Sequence, residues 1–516
     1  MANETGAGTE FRRHGQAIRT AGRNGAFGAI GSVFASAMGF LLALQVGRLL
    51  GANHSGLFFS AVAIAMVLTT IATAGADTGL LWALARDGAT RAGSSQRYLL
   101  RVALLPVAGV SVVLGGALWL LAPELGRQLT DTDPDLATQL LRAMSVAIVA
   151  GALLQCLAQA TRGLGDVRPF ALIQQIGVPG LRVALVAVVA LMVADAGTLA
   201  ATWSWIVPLL ALLPVAAYLA YRRTARPPLD VQHPDGLRGR FWRYSLLRGM
   251  GSTASLGLVW IDVPLVAALA GPSAAGAYAA ASRFATSGQL GLQAMRLAVA
   301  PEIAAGFAVG DKGRVRALFD LSTRWATVLS WPVFITLIVY AGPVLDWFGP
   351  GFDQAAWPLR ILCVAMMVSV ATGNVVTVIM MSGHSGWATR NTVAALVATL
   401  LIDVATVPVW GATGAAIGWI VGIFLENGLG LWLVRSRLGV VAHGRGFWSC
   451  AGAVSVISLV ACGLGRLVGG YGTAGCFASA VLTSVAVVGF VYVARRSLQV
   501  GLLLGRGADL ASTKDM

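Results

Sequence analysis

The chain has 516 residues, of which 57% are hydrophobic and 11% charged, well under the roughly 25% charge of a soluble domain; its mean hydropathy is +0.76. So few polar residues cannot cover the surface of a soluble protein, and a soluble enzyme is excluded. The formal net charge of +15 is spread over short clusters between apolar runs, with no basic domain carrying interleaved aromatics, which excludes a nucleic-acid binder.

A polar, basic arm fills residues 1–24 and carries Arg12, Arg13, Arg19 and Arg23. The first apolar run, near 26–48, is too long for the core of a signal peptide and lacks a small-residue cleavage site, so a retained helix is expected. Further apolar runs lie near 57–80, 99–121, 138–161, 170–193, 199–221, 246–269, 276–299, 321–345, 358–382, 391–408, 412–434, 447–468 and 473–494. Most can cross the ~30 Å hydrocarbon core, which takes about 20 helical residues. Fourteen transmembrane helices are predicted, the least distinct being the pair at 391–434, where a short run and Pro408 blur the boundary.

Loop charge supports this reading through the positive-inside rule. With the N-terminus inside, the cytoplasmic loops carry Arg86, Arg91 and Arg97; Arg162 and Arg168; and Arg222, Arg223, Arg226, Arg238, Arg240 and Arg243. The later ones carry Lys312, Arg314 and Arg316; Arg390; Arg435, Arg437 and Arg445; and a tail with Arg495, Arg496, Arg506 and Lys514. Loops on the other side are neutral or acidic, as at Asp131, Asp133 and Asp135. Both termini are expected in the cytoplasm.

An internal repeat decides the architecture. GRLLGANHSGLFFSAVA (47–63) aligns with AALAGPSAAGAYAAASR (267–283), pairing Gly51 with Gly271, Gly56 with Gly276 and Phe58 with Tyr278 at an offset of 271 − 51 = 220. The same offset pairs Pro123 with Pro343 and Gly163 with Gly383. An even number of spans between the copies makes this a parallel repeat about the membrane normal. The expected fold is all-α: an N-lobe at 25–225 (helices 1–6), a cytoplasmic linker at 226–244, a C-lobe at 245–440 (helices 7–12), a helix pair at 441–496 and a cytoplasmic tail at 497–516. A cavity is expected between the lobes.

GRLLGANHSGLFFSAVAI (47–64), TAGADTGLLWALAR (73–86), IDVPLVAALAGPSAAGAYAAASRF (261–284) and the Pro301 closing QAMRLAVAPEI (293–303) resemble the polysaccharide-type, O-antigen flippase-like members of the multidrug/oligosaccharidyl-lipid/polysaccharide flippase superfamily. The resemblance spans nearly the whole chain, through glycine turns and aromatic positions, with no catalytic signature. It implies transport of a polyprenyl-diphosphate-linked glycan from the inner to the outer leaflet of a bacterial cytoplasmic membrane by alternating access. The partners it implies are the lipid-linked glycan, membrane lipids, and glycosyltransferases or a polymerase of the same pathway.

Such a cargo has an anionic head, and arginine grips phosphate bidentately. An ionisable residue inside a span costs roughly 2.5–3.5 kcal/mol on insertion scales and normally faces a cavity or a partner. The cavity candidates are Arg182, an unpaired cation near the middle of the fifth span, Arg283, Asp262 and Asp77, with Arg48 and Arg296 nearer span ends, where snorkelling is the simpler account. Asp262 and Arg283, about 12 and 10 Å below the same short outer turn at 1.5 Å per residue, are expected to face each other. Asp403 and Glu426 are read as terminal or packing residues that could also bind a coupling cation. The stripe Gly28, Ser32, Ser36 reads as close helix packing.

No cofactor or metal is expected. The five histidines are scattered over loops, and Cys156, Cys363, Cys450, Cys462 and Cys476 lack metal-ligand spacing and read as small membrane hydrophobes. No GxxxxGK[ST] sequence is present, so drive must come from gradients, potential or substrate removal. Two alternatives stay open: a cation-coupled exporter of small molecules on the same fold, and a polytopic enzyme of glycan assembly. The largest external loop, about 122–137, is short for the second.

Overall fold

The structure, a computed structural model, describes residues 4–91, 95–192, 197–224, 236–440 and 444–495. Residues 226–235 of the expected linker and the tail 497–516 lie outside this set. Every regular element described is a helix. The first half comprises α1 (Glu4–Thr73), α2 (Ala76–Arg91), α3 (Gln96–Leu129), α4 (Pro134–Gly163), α5 (Arg168–Met192) and α6 (Thr198–Arg223). Then come α7 (Leu237–Trp260), α8 (Asp262–Ala270), α9 (Pro272–Ser287), α10 (Leu290–Ala308), α11 (Lys312–Val339), α12 (Asp353–Ala371) and α13 (Val375–Met381). The chain closes with α14 (Ser385–Trp410), α15 (Ala412–Leu438), α16 (Arg445–Gly469) and α17 (Thr473–Val493).

The sequence reading of about fourteen spans is met in part. Among the described residues, eleven stretches are long and apolar enough to cross a membrane, or twelve if the pair α7–α8, bent by 43°, is one span. Two features account for the difference. The predicted runs 26–48 and 57–80 fall largely on one 61-residue stretch, Ile30–Thr90, about 90 Å long at 1.5 Å per residue and some three times the hydrocarbon core. It is interrupted at Gly51 and again at Ala74–Gly75. The predicted run 276–299 is divided at Gly288–Gln289 between α9 and α10. The blurred pair at 391–434 resolves into α14, which keeps Pro408 inside it, and α15.

Local chemistry sets the helix ends. Asp133 accepts a hydrogen bond from the Leu136 N–H at 3.2 Å and Pro134 takes the first turn, so α4 starts there. Asp311 does the same for α11 through the Arg314 N–H at 2.9 Å. Gly51 (φ 69°, ψ 177°) and Gly271 (φ 88°, ψ 162°) turn the chain alike, with positive φ that a side chain rarely tolerates. Leu191, Leu467 and Val493 are more than 80% exposed, at 86%, 83% and 83%, as befits helices whose outer solvent is lipid. The chain is an all-α, multi-pass membrane protein.

It forms two compact units, one of Met1–Leu50 with Leu57–Pro264, the other of Gly51–Gly56 with Leu265–Met516. In the first, α3 and α4 make a hairpin around Gly115 and Gly126, which lie against the backbone of Ser145 and Pro134. The predicted small-residue stripe packs against α5: Gln175 Nε2 donates to Ser32 Oγ at 2.8 Å, and Gly31 leaves room for that amide. In the second unit, Gly414, Gly418 and Gly422 place one face of α15 against Thr406, Asp403 and Thr399 of α14, the close approach typical of helices packing in lipid. There too Gly56 lies against the start of α9 and Gly276 against Ala52 and Ser55, with no room for a Cβ at either.

α16 and α17 pack through Gly465 and Gly469 against Ser479 and Gly475. Tyr340 ties the pair to its unit, donating to the Cys462 carbonyl at 3.3 Å and accepting from Ser479 Oγ at 2.9 Å. Arg466 stands over the Tyr471 ring at 5.3 Å and Arg495 over Tyr492 at 5.1 Å.

Candidate functional site

Arg182 projects from α5 onto Trp205 of α6. Its guanidinium carbon lies 3.5 Å from the indole centroid, and Nε donates to the Trp205 carbonyl at 3.2 Å. Trp205 is buried and stands edge-on to Phe58, with centroids 6.1 Å apart. The reading of Arg182 as an unpaired cation is therefore revised: it is stacked and oriented. Of its five N–H donors only Nε is engaged, and the two Nη groups make no hydrogen bond among the described residues. An arginine held in this way can offer its fork to two oxygens of one phosphate.

Asp77 sits in the first turn of α2, just past the left-handed pair Ala74 (φ 46°) and Gly75 (φ 76°). It is buried and accepts from Gln155 Nε2 of α4 at 3.1 Å, while its Oδ1 has no hydrogen-bond partner. The helix N-terminus favours the negative charge there. No hydrogen bond or ion pair joins Asp77 to Arg182.

Asp262 is buried at the start of α8. Arg283 is half-buried on α9, whereas Arg48 and Arg296 are exposed. In the second unit, Asp403 is fully buried against Gly418, and Glu426 accepts from Thr392 Oγ1 at 2.6 Å. Thr372 Oγ1 donates to Asn427 Oδ1 at 3.0 Å, and Asn427 Nδ2 to the Ile423 carbonyl at 2.9 Å.

An apolar groove of about 700 Å³ runs along α11, α12, α15 and α16, walled by Trp331, Met367, Leu431, Trp448 and Leu459, and it reaches Thr372. Trp331 is fixed by its indole N–H, which donates to the Met367 carbonyl at 3.1 Å. Trp448 and Leu459 are 66% and 55% exposed, so the groove opens on the lipid-facing side. Among the described residues, no group of three or more His, Cys, Asp or Glu could hold a metal ion.

Sequence reasoning missed Trp205, Gln155, Gln175, Asn427 and the groove. The three amides carried a signal, being polar residues inside apolar runs; Trp205 and the groove carried none.

A family model described as polysaccharide biosynthesis protein matches residues 21–306. No curated protein matches the chain in sequence. Among solved structures, lipid II flippase MurJ in an inward closed conformation superposes with a TM-score of 0.72 at 12% identity, over 91% of this chain and 99% of that one. An inward-facing multidrug resistance MATE family transporter of the MOP superfamily gives 0.65 at 16%, over 78% and 94%. A MOP superfamily transporter from Pyrococcus furiosus gives 0.57 at 16%, over 81% and 95%. At these identities the likeness concerns the fold.

Proposed function

We propose, since the chain belongs to the polysaccharide biosynthesis protein family, that it is a flippase carrying a polyprenyl-diphosphate-linked oligosaccharide, or a related lipid-linked glycan precursor, from the inner to the outer leaflet by alternating access. The observation that carries this reading is the apolar groove on α11, α12, α15 and α16. A small polar solute has no use for such a surface, whereas a polyprenyl chain, already in the hydrocarbon, can seat in it by close packing. Arg182, oriented on Trp205 with its Nη groups uncommitted, suits the diphosphate; Arg283, Asp262 and Asp77 are the further candidates, with Arg48 and Arg296 at the span ends. A lipid II flippase of the same fold supports a cargo of this class.

In this reading the protein lies in a bacterial cytoplasmic membrane with both termini inside, and glycosyltransferases or a polymerase act beside it. The segments 25–225 and 245–440 act as two parallel lobes. The like conformations of Gly51 and Gly271 and the crossed packing of Gly56 and Gly276 support that repeat.

The test is transfer in proteoliposomes of the full chain. A fluorescent polyprenyl-diphosphate glycan should become accessible in the opposite leaflet at a rate set by protein content. If the glycan stays put while a small organic cation crosses under an ion gradient, the exporter reading replaces this one.

A further inference from the structure

A second, separate cavity of about 180 Å³ lies within the first unit, where α2, the start of α3 and the start of α7 meet. Its walls include Trp82, Arg86, Asp87, Leu99, Arg240 and Phe241. Asp87 is only 5% exposed. One carboxylate oxygen, Oδ2, accepts from the Ser95 N–H at 3.0 Å, and Oδ1 is buried without a hydrogen-bond partner. Neither arginine forms an ion pair with it among the described residues. Arg86 stands over the Trp82 ring at 5.4 Å, and Trp82 stacks on Tyr244 with centroids 4.6 Å apart and planes at 19°.

This charge pattern selects its ligand. A plain anion would meet the Asp87 carboxylate, and a plain cation would meet two guanidinium groups. A group with an ammonium and a phosphate a few ångström apart satisfies all three. The volume holds about six waters at roughly 30 Å³ each, the scale of a phosphoethanolamine group. Depth agrees as well. The arm 52–73 of α1 has 22 residues, or ~33 Å, enough to cross the hydrocarbon core, so α2 carries Trp82 and Arg86 to headgroup level, where Trp and Tyr gather.

We infer that this cavity binds the phosphoethanolamine headgroup of an inner-leaflet phospholipid. The ammonium meets the Asp87 carboxylate, the phosphate lies between Arg86 and Arg240, and the acyl chains leave through the open side of the cavity, Leu99 and Phe241 closing its buried side. The site does not depend on what the protein transports.

Native mass spectrometry of the purified full chain, titrated with dioleoyl-phosphatidylethanolamine or dioleoyl-phosphatidylglycerol, tests this. The wild type should retain phosphatidylethanolamine about tenfold better. Asp87→Asn keeps an acceptor for the Ser95 N–H and should erase that preference; Arg240→Gln, at an exposed position, should weaken both lipids. Equal retention by the wild type, or an unchanged preference in Asp87→Asn, overturns the assignment. Soluble O-phosphoethanolamine should compete only above about millimolar concentrations, as expected without the chains. Displacement at micromolar concentrations would assign the site to the free compound and overturn the lipid source.

Discussion

Gly56 and Gly276 pack crosswise: a Cβ on Gly56 would overlap the carbonyl of Pro272, and one on Gly276 the carbonyl of Ala52. Since 272 − 52 and 276 − 56 both equal 220, this is one contact made twice, each partner playing both roles, as at an isologous interface. Overpacking typically costs about 1–3 kcal/mol. Gly56→Ala and Gly276→Ala should each lower the thermal stability of the purified protein by a similar amount. The double variant should lose less than the sum, because one displacement of the helices relieves both overlaps. A strictly additive double variant would show the two sites to be independent.

Arg182→Ala should reduce transport about tenfold or more at near-normal protein levels, since a charge-assisted grip on phosphate is lost. Arg182→Lys should rescue only in part, because an ammonium lacks the planar fork. Trp205→Ala leaves the charge but removes its support and should resemble the lysine variant. Rates per unit protein in vesicles decide it; full activity in Arg182→Ala removes the residue from the site.

Filling the groove should discriminate by chain length. Val368→Trp places an indole among its walls and should slow transfer of a long-chain polyprenyl substrate by about tenfold, while an analogue with a two-isoprene tail is little affected. Equal loss for both substrates would mean that the tail lies elsewhere.

Topology can be read with an impermeant thiol reagent, since the five native cysteines are all buried. Cysteines at Asp133 and Ser273 should label from outside intact cells. One at Gly313 should not, nor one at Ser94, which lies outside the described residues. Labelling at Gly313 would invert the assignment.

Hydropathy made the helices legible because each crossing must satisfy its backbone internally and so needs a long apolar run. The turns at Gly51 and Gly271 were legible too, as glycines at a constant offset. The breaks at Ala74–Gly75, Ile261 and Gly288–Gln289 were not, since hydropathy runs on across them and what supports them comes from other helices. Gly75 and Gly249, for instance, bring the α1–α2 break against α7, and no spacing within either segment encodes that approach. Arg182 stood out as a charge in an apolar run, but its partner lies 205 − 182 = 23 residues on, among other aromatics. The groove needs four helices whose lining residues run from Trp331 to Leu459, which only tertiary packing brings together.

The paired rings and guanidinium groups of the last hairpin, Arg466 with Tyr471 and Arg495 with Tyr492, act together as a ruler. Tyr471 lies in the turn just before α17, and from Thr473 to Tyr492 that helix rises over 492 − 473 = 19 residues, or ~29 Å, close to the ~30 Å of hydrocarbon in an average bilayer. Each pair sets a cation and an amphipathic ring where headgroups begin. In a membrane several ångström thinner the hairpin must tilt or draw headgroups inward, at fractions of a kcal/mol per ångström of mismatch. The chain thus carries, in two tyrosines, a preference for the thickness of the membrane it inhabits.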